Sequence, residues 1–382
     1  MPDHYPDYPS NDQIASYIRS YARACGLMEH IRLSTEVTSV QREGDAWTVR
    51  TMFGGAAQED NFRWVICANG TNWHPNRPNI PGQASFNGTI QHAVDYADSD
   101  TLRGERVLVI GAGNSGVDIA CDAAFAAKRA FISMRRGYHF IPKHIFGMPA
   151  DVFAAQSKWM PTWLGQRSLG LVLRLLTGDL TRFGLQRPDH RPLESHPILN
   201  SQILHYIQHG DLTAKPDVAR VEGDEVVFVD GTREAVDRIV LATGYAWALP
   251  FIDRKLFDWH AGRPRAWLNL YNPDHPTLFL NGFIETNSGI YKLLDETGSM
   301  IAQAIDVQRQ GGAKADRLRA VLREKPPRID GGVRYVESGR HSGYANIDAY
   351  RRELACLRRR MGWREPRPFY ATMPIGGIPA AA

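Results

Sequence analysis

Apolar positions recur at helical spacing near the start of the chain. Ile14, Tyr17, Ile18, Tyr21 and Ala22 fall on one face, Asn11 stands where a cap belongs and Gly26 closes the run, so residues 11–27 are expected to be helical. The period then shortens. Residues 31–40 and 47–52 flank the turn-rich Arg42-Glu43-Gly44-Asp45, which predicts a hairpin or meander. Short apolar runs at 64–68, 106–110, 130–134, 238–242 and 278–281 read as buried strands, since a strand covered on both faces needs no polar alternation. Helices are expected at 117–127, at 198–209 before Gly210, near 296–309 and at 347–361. A further hairpin is expected over 218–229, turning at Glu222-Gly223-Asp224. Residues 75–82 hold three prolines and read as a crossing linker. Residues 146–178, with Trp159, Trp163 and an apolar run broken by Arg174, read as an irregular lid or packing insertion.

Composition narrows the class. The 382 residues are 43% hydrophobic and 23% charged, which fits a globular chain of two or three domains and excludes collagen-like and disordered classes. Forty-five basic against 41 acidic residues leave +4, spread along the chain. Nothing in that balance calls for nucleic acid. Cys25, Cys67, Cys121 and Cys356 form no CxxC and no metal-ligand spacing, so a reducing, cytoplasmic setting is expected. Residues 1–10 are acidic and Pro-rich rather than basic then apolar, and no apolar run reaches the roughly 18 residues of a membrane span. Neither export nor a transmembrane segment is therefore expected.

The chemistry-bearing element follows the 106–110 run. Gly111-Ala112-Gly113-Asn114-Ser115-Gly116 sits between an apolar strand and an alanine-rich helix, with a second strand at βαβ distance. In such a turn Gly111 permits the tight bend, Gly113 admits a diphosphate to the backbone and Gly116 lets helix and strand approach. Asn114 and Ser115 then offer backbone donors at a helix N-terminus that carries partial positive charge. At the end of the second strand an acidic residue would hold a ribose 2′-hydroxyl; here stand Ser133, Met134, Arg135 and Arg136. A hydroxyl and two guanidiniums favour a 2′-phosphate, hence NADP(H).

Phe86-Asn87-Gly88, His92 and Tyr96 spell FxGxxxHxxxY, the glycine turn follows, and Leu241-Ala242-Thr243-Gly244-Tyr245 comes later. With these motifs in this order, over residues 1 to about 300, the chain resembles the flavin-containing monooxygenases. The resemblance implies an α/β, two-dinucleotide-binding (Rossmann-like) flavoprotein fold. In it an NADP(H)-binding domain, residues 97–236, is inserted between residues 1–96 of the FAD domain and its return with C-terminal helices, residues 237–382. It implies FAD and NADP as cofactors, and O2 with a small nucleophilic (nitrogen- or sulfur-containing) or carbonyl molecule as substrates. NADPH would reduce FAD, and the reduced flavin would carry oxygen as a C4a-hydroperoxide. Ala242, Thr243, Gly244 and Gly70 would lie near the domain junctions, and Val37 at the position that contacts adenine. Two departures accompany the likeness. Asn69 replaces a threonine, and the family's first glycine turn, for the FAD diphosphate, would precede the segment that residues 1–6 resemble; the chain holds no second GxGxxG. The FAD domain is therefore expected to be N-terminally incomplete.

Two other readings stay open: a non-catalytic NADP-binding remnant, and a Baeyer-Villiger monooxygenase, a group that usually has tryptophan where this chain has Tyr96. His92 is expected to brace the linker rather than to catalyse. His205 and His209, four apart without the glutamate of a zinc-protease helix, are expected to be helix-end residues. The basic residues of 347–361 are expected to be a solvated face.

Overall fold

The computed structural model describes residues 4–150, 152–153, 162–287, 289–336 and 343–365, with residues 162 and 163 described by their backbone alone. Helix α1 (Asn11–Ala24) opens on a capping box in which Ser10 and Gln13 satisfy each other's backbone amides. Strands β1 (Glu36–Glu43), β2 (Ala46–Phe53) and β3 (Ala56–Phe62) form an antiparallel meander. β1 starts later than its apolar run because Ser34 takes a left-handed φ of 53° that breaks the extended chain. β3 is almost wholly exposed, so no apolar pattern marked it. After β4 (Val65–Cys67) the chain crosses to β5 (Thr89–His92), β6 (Arg106–Ile110), α2 (Asn114–Ala126) and β7 (Arg129–Ser133).

Residues 162–177, expected to be irregular, form helix α3 (Thr162–Thr177). The pattern missed it because its leucines lie on both the inner and the outer faces. Trp159 lies outside the described residues. Next come α4 (Gln202–His209), β8 (Leu212–Lys215), the β9–β11 meander (Val218–Glu222, Glu225–Phe228, Arg233–Ala235), β12 (Arg238–Leu241) and β13 (Leu278–Leu280). Three helices come last among the described residues: α5 (Tyr291–Gln310), α6 (Gly312–Leu322) and α7 (Ile347–Met361). α4 starts four residues later than the sequence pattern suggests, because Asn200 Oδ1 accepts from the Ile203 amide and opens the helix there.

The central sheet is parallel, in the order β8-β7-β6-β12-β5. Two neighbouring strands at one side of it, Arg238–Leu241 and Thr89–His92, lie outside the expected 97–236 interval. Successive residues of β6 face different cores: Val107 and Val109 pack on α2 and α4, while Leu108 and Ile110 pack on Val221, Val226 and Phe228 of the β9–β11 meander. That two-sided burial explains the unbroken apolar runs. A third core joins α5, α6 and α7 with Trp267, Tyr271 and Phe279. A fourth unites Val40 and Trp47 of the first meander with Cys67, Leu278 and Leu280 of the parallel pair β4–β13.

Candidate functional site

The turn between β6 and α2 is shaped by close approach. Gly111 takes φ 110°, and a Cβ there would run into the carbonyl oxygen of Ala242 on the neighbouring strand. A Cβ on Gly116 would run into the Gly111 carbonyl and come within 3.0 Å of the Ala242 methyl. Both positions are closed to side chains by the protein itself. Gly113, at φ −71° and ψ 173°, has a backbone conformation open to any residue, so its dihedral angles do not require glycine. It is the N-cap of α2, which opens without a side-chain cap, leaving the first amides and the positive end of the helix to whatever approaches. Ala112 is buried beside them and Ser115 is exposed.

Asn114 does more than lend an amide. Its Oδ1 accepts from the Leu199 amide at 3.0 Å, and its Nδ2 reaches Pro197 O and His196 Nε2, both at 3.3 Å. His196 Nδ1 lies 2.7 Å from the Tyr344 hydroxyl, which donates to Thr286 O at 2.6 Å. Tyr344's single proton is thus committed, so His196 donates through Nδ1 and accepts from Asn114 through Nε2. The chain of bonds runs from the first residue of α2 to the C-terminal lobe, where Ala345 N continues it to Glu285 O. An asparagine one residue inside a helix and a lone tyrosine carried no sequence signal for this.

At the other end of the βαβ unit, Ser133 is 2% exposed and donates to Pro216 O at 2.7 Å. Its hydroxyl ties down a neighbouring segment and spends its one proton there. Arg135 is exposed at the strand end. Arg136 lies 3.3 Å from Asp189, whose carboxylate is held below its usual range by a hydrogen bond from His190 and by the Arg136 charge. His190 in turn accepts from or donates to Ser195 at 2.9 Å. The Asp189–His190–Ser195 row has the order of a nucleophile triad, but its carboxylate is 55% exposed and shared with a guanidinium, so it serves to hold Arg136 and its loop.

The FxGxxxHxxxY residues are structural fixings. A Cβ on Gly88 would strike the Asp237 carbonyl, which accepts from the Thr89 amide. His92 is fully buried; its Nδ1 accepts from the Val94 amide, so Nε2 carries the proton and donates to Gly244 O at 3.0 Å. Burial holds the ring below its ordinary pKa, with the Gly244 bond pulling more weakly upward. Tyr96 donates to Asp122 at 2.8 Å, and burial first, then this bond, push its hydroxyl pKa up. Thr243 and Gly244 are consumed by the linker, since Asn76 bonds to the carbonyls of both and accepts from the Thr243 hydroxyl. His92 therefore braces the junction. His205 and His209 end α4, with the His209 ring bonded to the His205 carbonyl, and no His/Cys/Asp/Glu cluster among the described residues fits a metal.

Val37 is 38% exposed at a bulge of β1, and Gly70 takes φ 75° in the turn after β4. Neighbouring Asn69 donates to Ala248 O, which joins that turn to the segment following β12. These residues fit a dinucleotide in one place. The α2 turn has the backbone shape, the uncapped helix end and an exposed arginine at the following strand end, as NADP(H) requires. For FAD, β4 of the second parallel pair runs into Ala68-Asn69-Gly70 and not into a glycine turn followed by a helix, so the described residues supply no seat for its diphosphate.

The profile described as Flavin-binding monooxygenase-like matches residues 1–336. Over 377 residues the chain is 31% identical to flavin-containing monooxygenase 5 of Homo sapiens, covering 94% of this chain and 69% of that one. It is 34% identical over 258 residues to probable indole-3-pyruvate monooxygenase YUCCA9 of Arabidopsis thaliana, covering 65% of this chain and 61% of that one. The chain thus spans about two thirds of the length of these relatives. An open crystal structure of cyclohexanone monooxygenase superposes with a TM-score of 0.66 at 16% identity, over 94% of this chain and 84% of that one, and shares the fold. The chain belongs to the flavin-binding monooxygenase-like family.

Proposed function

We propose that this chain is an NADPH-binding flavin monooxygenase with FAD as its second cofactor, delivering one oxygen atom from O2 to a small nucleophilic or carbonyl substrate. Family membership supports the cofactor pair, and a relative of the same fold is described as a complex with FAD and NADP. The observation that carries the reading is the uncapped start of α2 beside exposed Arg135, which together suit a diphosphate and a 2′-phosphate. Reduced nicotinamide supplies the hydride in such enzymes. What these residues do is bind and orient. The amides opening α2 take the diphosphate, Arg135 with Arg136 grips the extra phosphate, and the Asn76–Gly244–His92 junction fixes the strand end on which the two lobes meet. The described residues form no seat for the FAD diphosphate. Tyr96, where a Baeyer-Villiger fingerprint usually has tryptophan, favours the plain monooxygenase reading.

The test is nucleotide titration by fluorescence on the purified chain and on Arg135→Ala with Arg136→Ala. Wild type should prefer NADPH to NADH. The double substitution should lower NADPH affinity at least about tenfold, the loss of a charge-assisted fork, and leave NADH affinity unchanged. Equal affinity for both nucleotides in wild type would refute the assignment. A yellow protein that oxidises NADPH in air supports the enzyme; a colourless one that holds NADPH supports the non-catalytic alternative.

A further inference from the structure

The loop that follows α3 brings a carboxylate to one of the two arginines at the end of β7. Residues 186–190 cross that strand end at close quarters. Gln186 Nε2 donates to Met134 O at 3.1 Å, and a Cβ on Gly137 would run into the Gln186 carbonyl oxygen and the Arg187 backbone. Two residues further on, Asp189 Oδ2 stands 3.3 Å from Arg136 Nη2, the carboxylate 55% and the guanidinium 33% exposed. A charge-assisted hydrogen bond would be about 2.7–2.9 Å long, so charge draws this pair together more than a directed bond does.

Asp189 depends on Arg136 neither for its place nor for its charge. Its Oδ1 accepts from His190 Nδ1 at 2.8 Å. The His190 ring is 4% exposed and is held on its far side by the Ser195 hydroxyl at 2.9 Å, while His139 bonds to the His190 carbonyl at 2.8 Å. The bond from His190 is the main cause that keeps the Asp189 carboxyl below its ordinary range, so the group is ionised at neutral pH whether or not Arg136 stays beside it. The other acids of this loop face elsewhere: Asp179 bonds to Thr181 and pairs with Arg187, and Glu194 accepts from the Arg191 amide. A fixed anion at this point acts twice against a phosphorylated ribose. It occupies the cation before the nucleotide arrives, and it repels the incoming charge from well within a Debye length. A ribose that ends in a hydroxyl meets neither obstacle. We propose, on the reading of the α2 turn and Arg135 as the NADPH seat, that Asp189 is an internal competitor of the nucleotide 2′-phosphate for Arg136 and so sets how strongly the site prefers NADPH to NADH. Removing its charge while keeping its shape should therefore tighten binding, an outcome that damage to the loop does not produce.

Asp189→Asn does this, since the amide oxygen still accepts from His190 Nδ1. Fluorescence titration of the purified chain with NADPH, NADH, adenosine 2′,5′-bisphosphate and adenosine 5′-monophosphate provides the readout. The substitution should tighten NADPH and the bisphosphate about fivefold each at low salt, the size of one charge interaction at a solvent-facing site. NADH and the monophosphate should bind as before, and the gain should fade as salt is added. Asp189→Ser should move the affinities in the same direction. In an Arg136→Ala background Asp189→Asn should gain less than about twofold, because the contested cation is gone. Circular dichroism melts check that each variant folds. Wild type that prefers NADPH while Asp189→Asn binds it no better, or more weakly, would overturn the competition and leave the nucleotide seat standing. Equal affinity of wild type for NADPH and NADH would remove the seat, and the competition with it.

Discussion

Replacing Tyr344 by phenylalanine removes one oxygen and breaks the chain of bonds from the C-terminal lobe to the helix that starts the nucleotide site. Tyr344 is 2% exposed, and its hydroxyl both receives from His196 and donates to Thr286 O. Its loss removes one partner from the His196 ring and one from the Thr286 carbonyl, at about 1 kcal/mol for each, so unfolding free energy should fall by about 2 kcal/mol. The sharper consequence lies at Asn114. With His196 released, only the bonds to Pro197 and Leu199 position that side chain, and the start of α2 is less well ordered before a nucleotide arrives. Affinity for NADPH should drop about fivefold, equivalent to about 1 kcal/mol of lost pre-organisation. Tyr350 is the control: it is equally buried and its hydroxyl donates to Leu268 O at 2.6 Å, inside the C-terminal lobe. Tyr350→Phe should lower the melting temperature without moving NADPH affinity. Fluorescence titration and thermal melts of both variants provide the readouts. If the two substitutions change NADPH affinity equally, or neither does, the coupling through His196 is wrong.

Two more outcomes follow from single contacts. Gly116→Val places a branched side chain against the Gly111 carbonyl and the Ala242 methyl, so it should abolish measurable NADPH binding in the same titration and destabilise the chain by about 3 kcal/mol, read by denaturant unfolding. Asp237 receives a backbone and two side-chain hydrogen bonds from Arg106, which hold its pKa at about 2. A carboxyl with a depressed folded value stabilises the fold above its ordinary pKa and loses that contribution as acid is added, so stability should decline between about pH 4 and pH 2. Asp237→Asn should flatten that part of an acid titration followed by circular dichroism; an unchanged profile would remove Asp237 from the account.

What could be read from the chain tracks how each element is buried. The parallel strands announced themselves because both faces are covered, and Leu108 and Val109 can be neighbours in sequence while serving different cores. The glycine turn was legible because Gly111 and Gly116 answer to backbone crowding that no other residue tolerates. β3 was not, since its side chains face water and its place depends on pairing with β2. α3 was hidden for the opposite reason, an apolar outer face that erases helical contrast. Ser133 shows a limit of another kind: a residue type suited to phosphate stood at the right place, but its hydroxyl was committed to Pro216 across the sheet, a partner 83 positions away that no local pattern contains.

The fingerprint around His92 and the glycine turn act at different levels. Gly88, His92 and Tyr96 each answer to a partner distant in sequence: the Asp237 carbonyl, the Gly244 carbonyl and the Asp122 carboxylate. The His92–Gly244 contact fastens the incoming linker to the returning strand at the carboxyl end of the sheet, while Gly88 and Asp237 meet at its amino end and Tyr96 ties to the later turns of α2. Parallel strand ends are where open α/β sheets bind ligands, and the two chain crossings between lobes meet there. A neutral His92 suits this duty, since burial keeps its proton count fixed at neutral pH and leaves one ring nitrogen to accept and the other to donate. The motif thus fastens two distant segments of the chain, and on the proposed reading the glycine turn seats the nucleotide; substitutions in the first should loosen the junction, and in the second lower NADPH affinity.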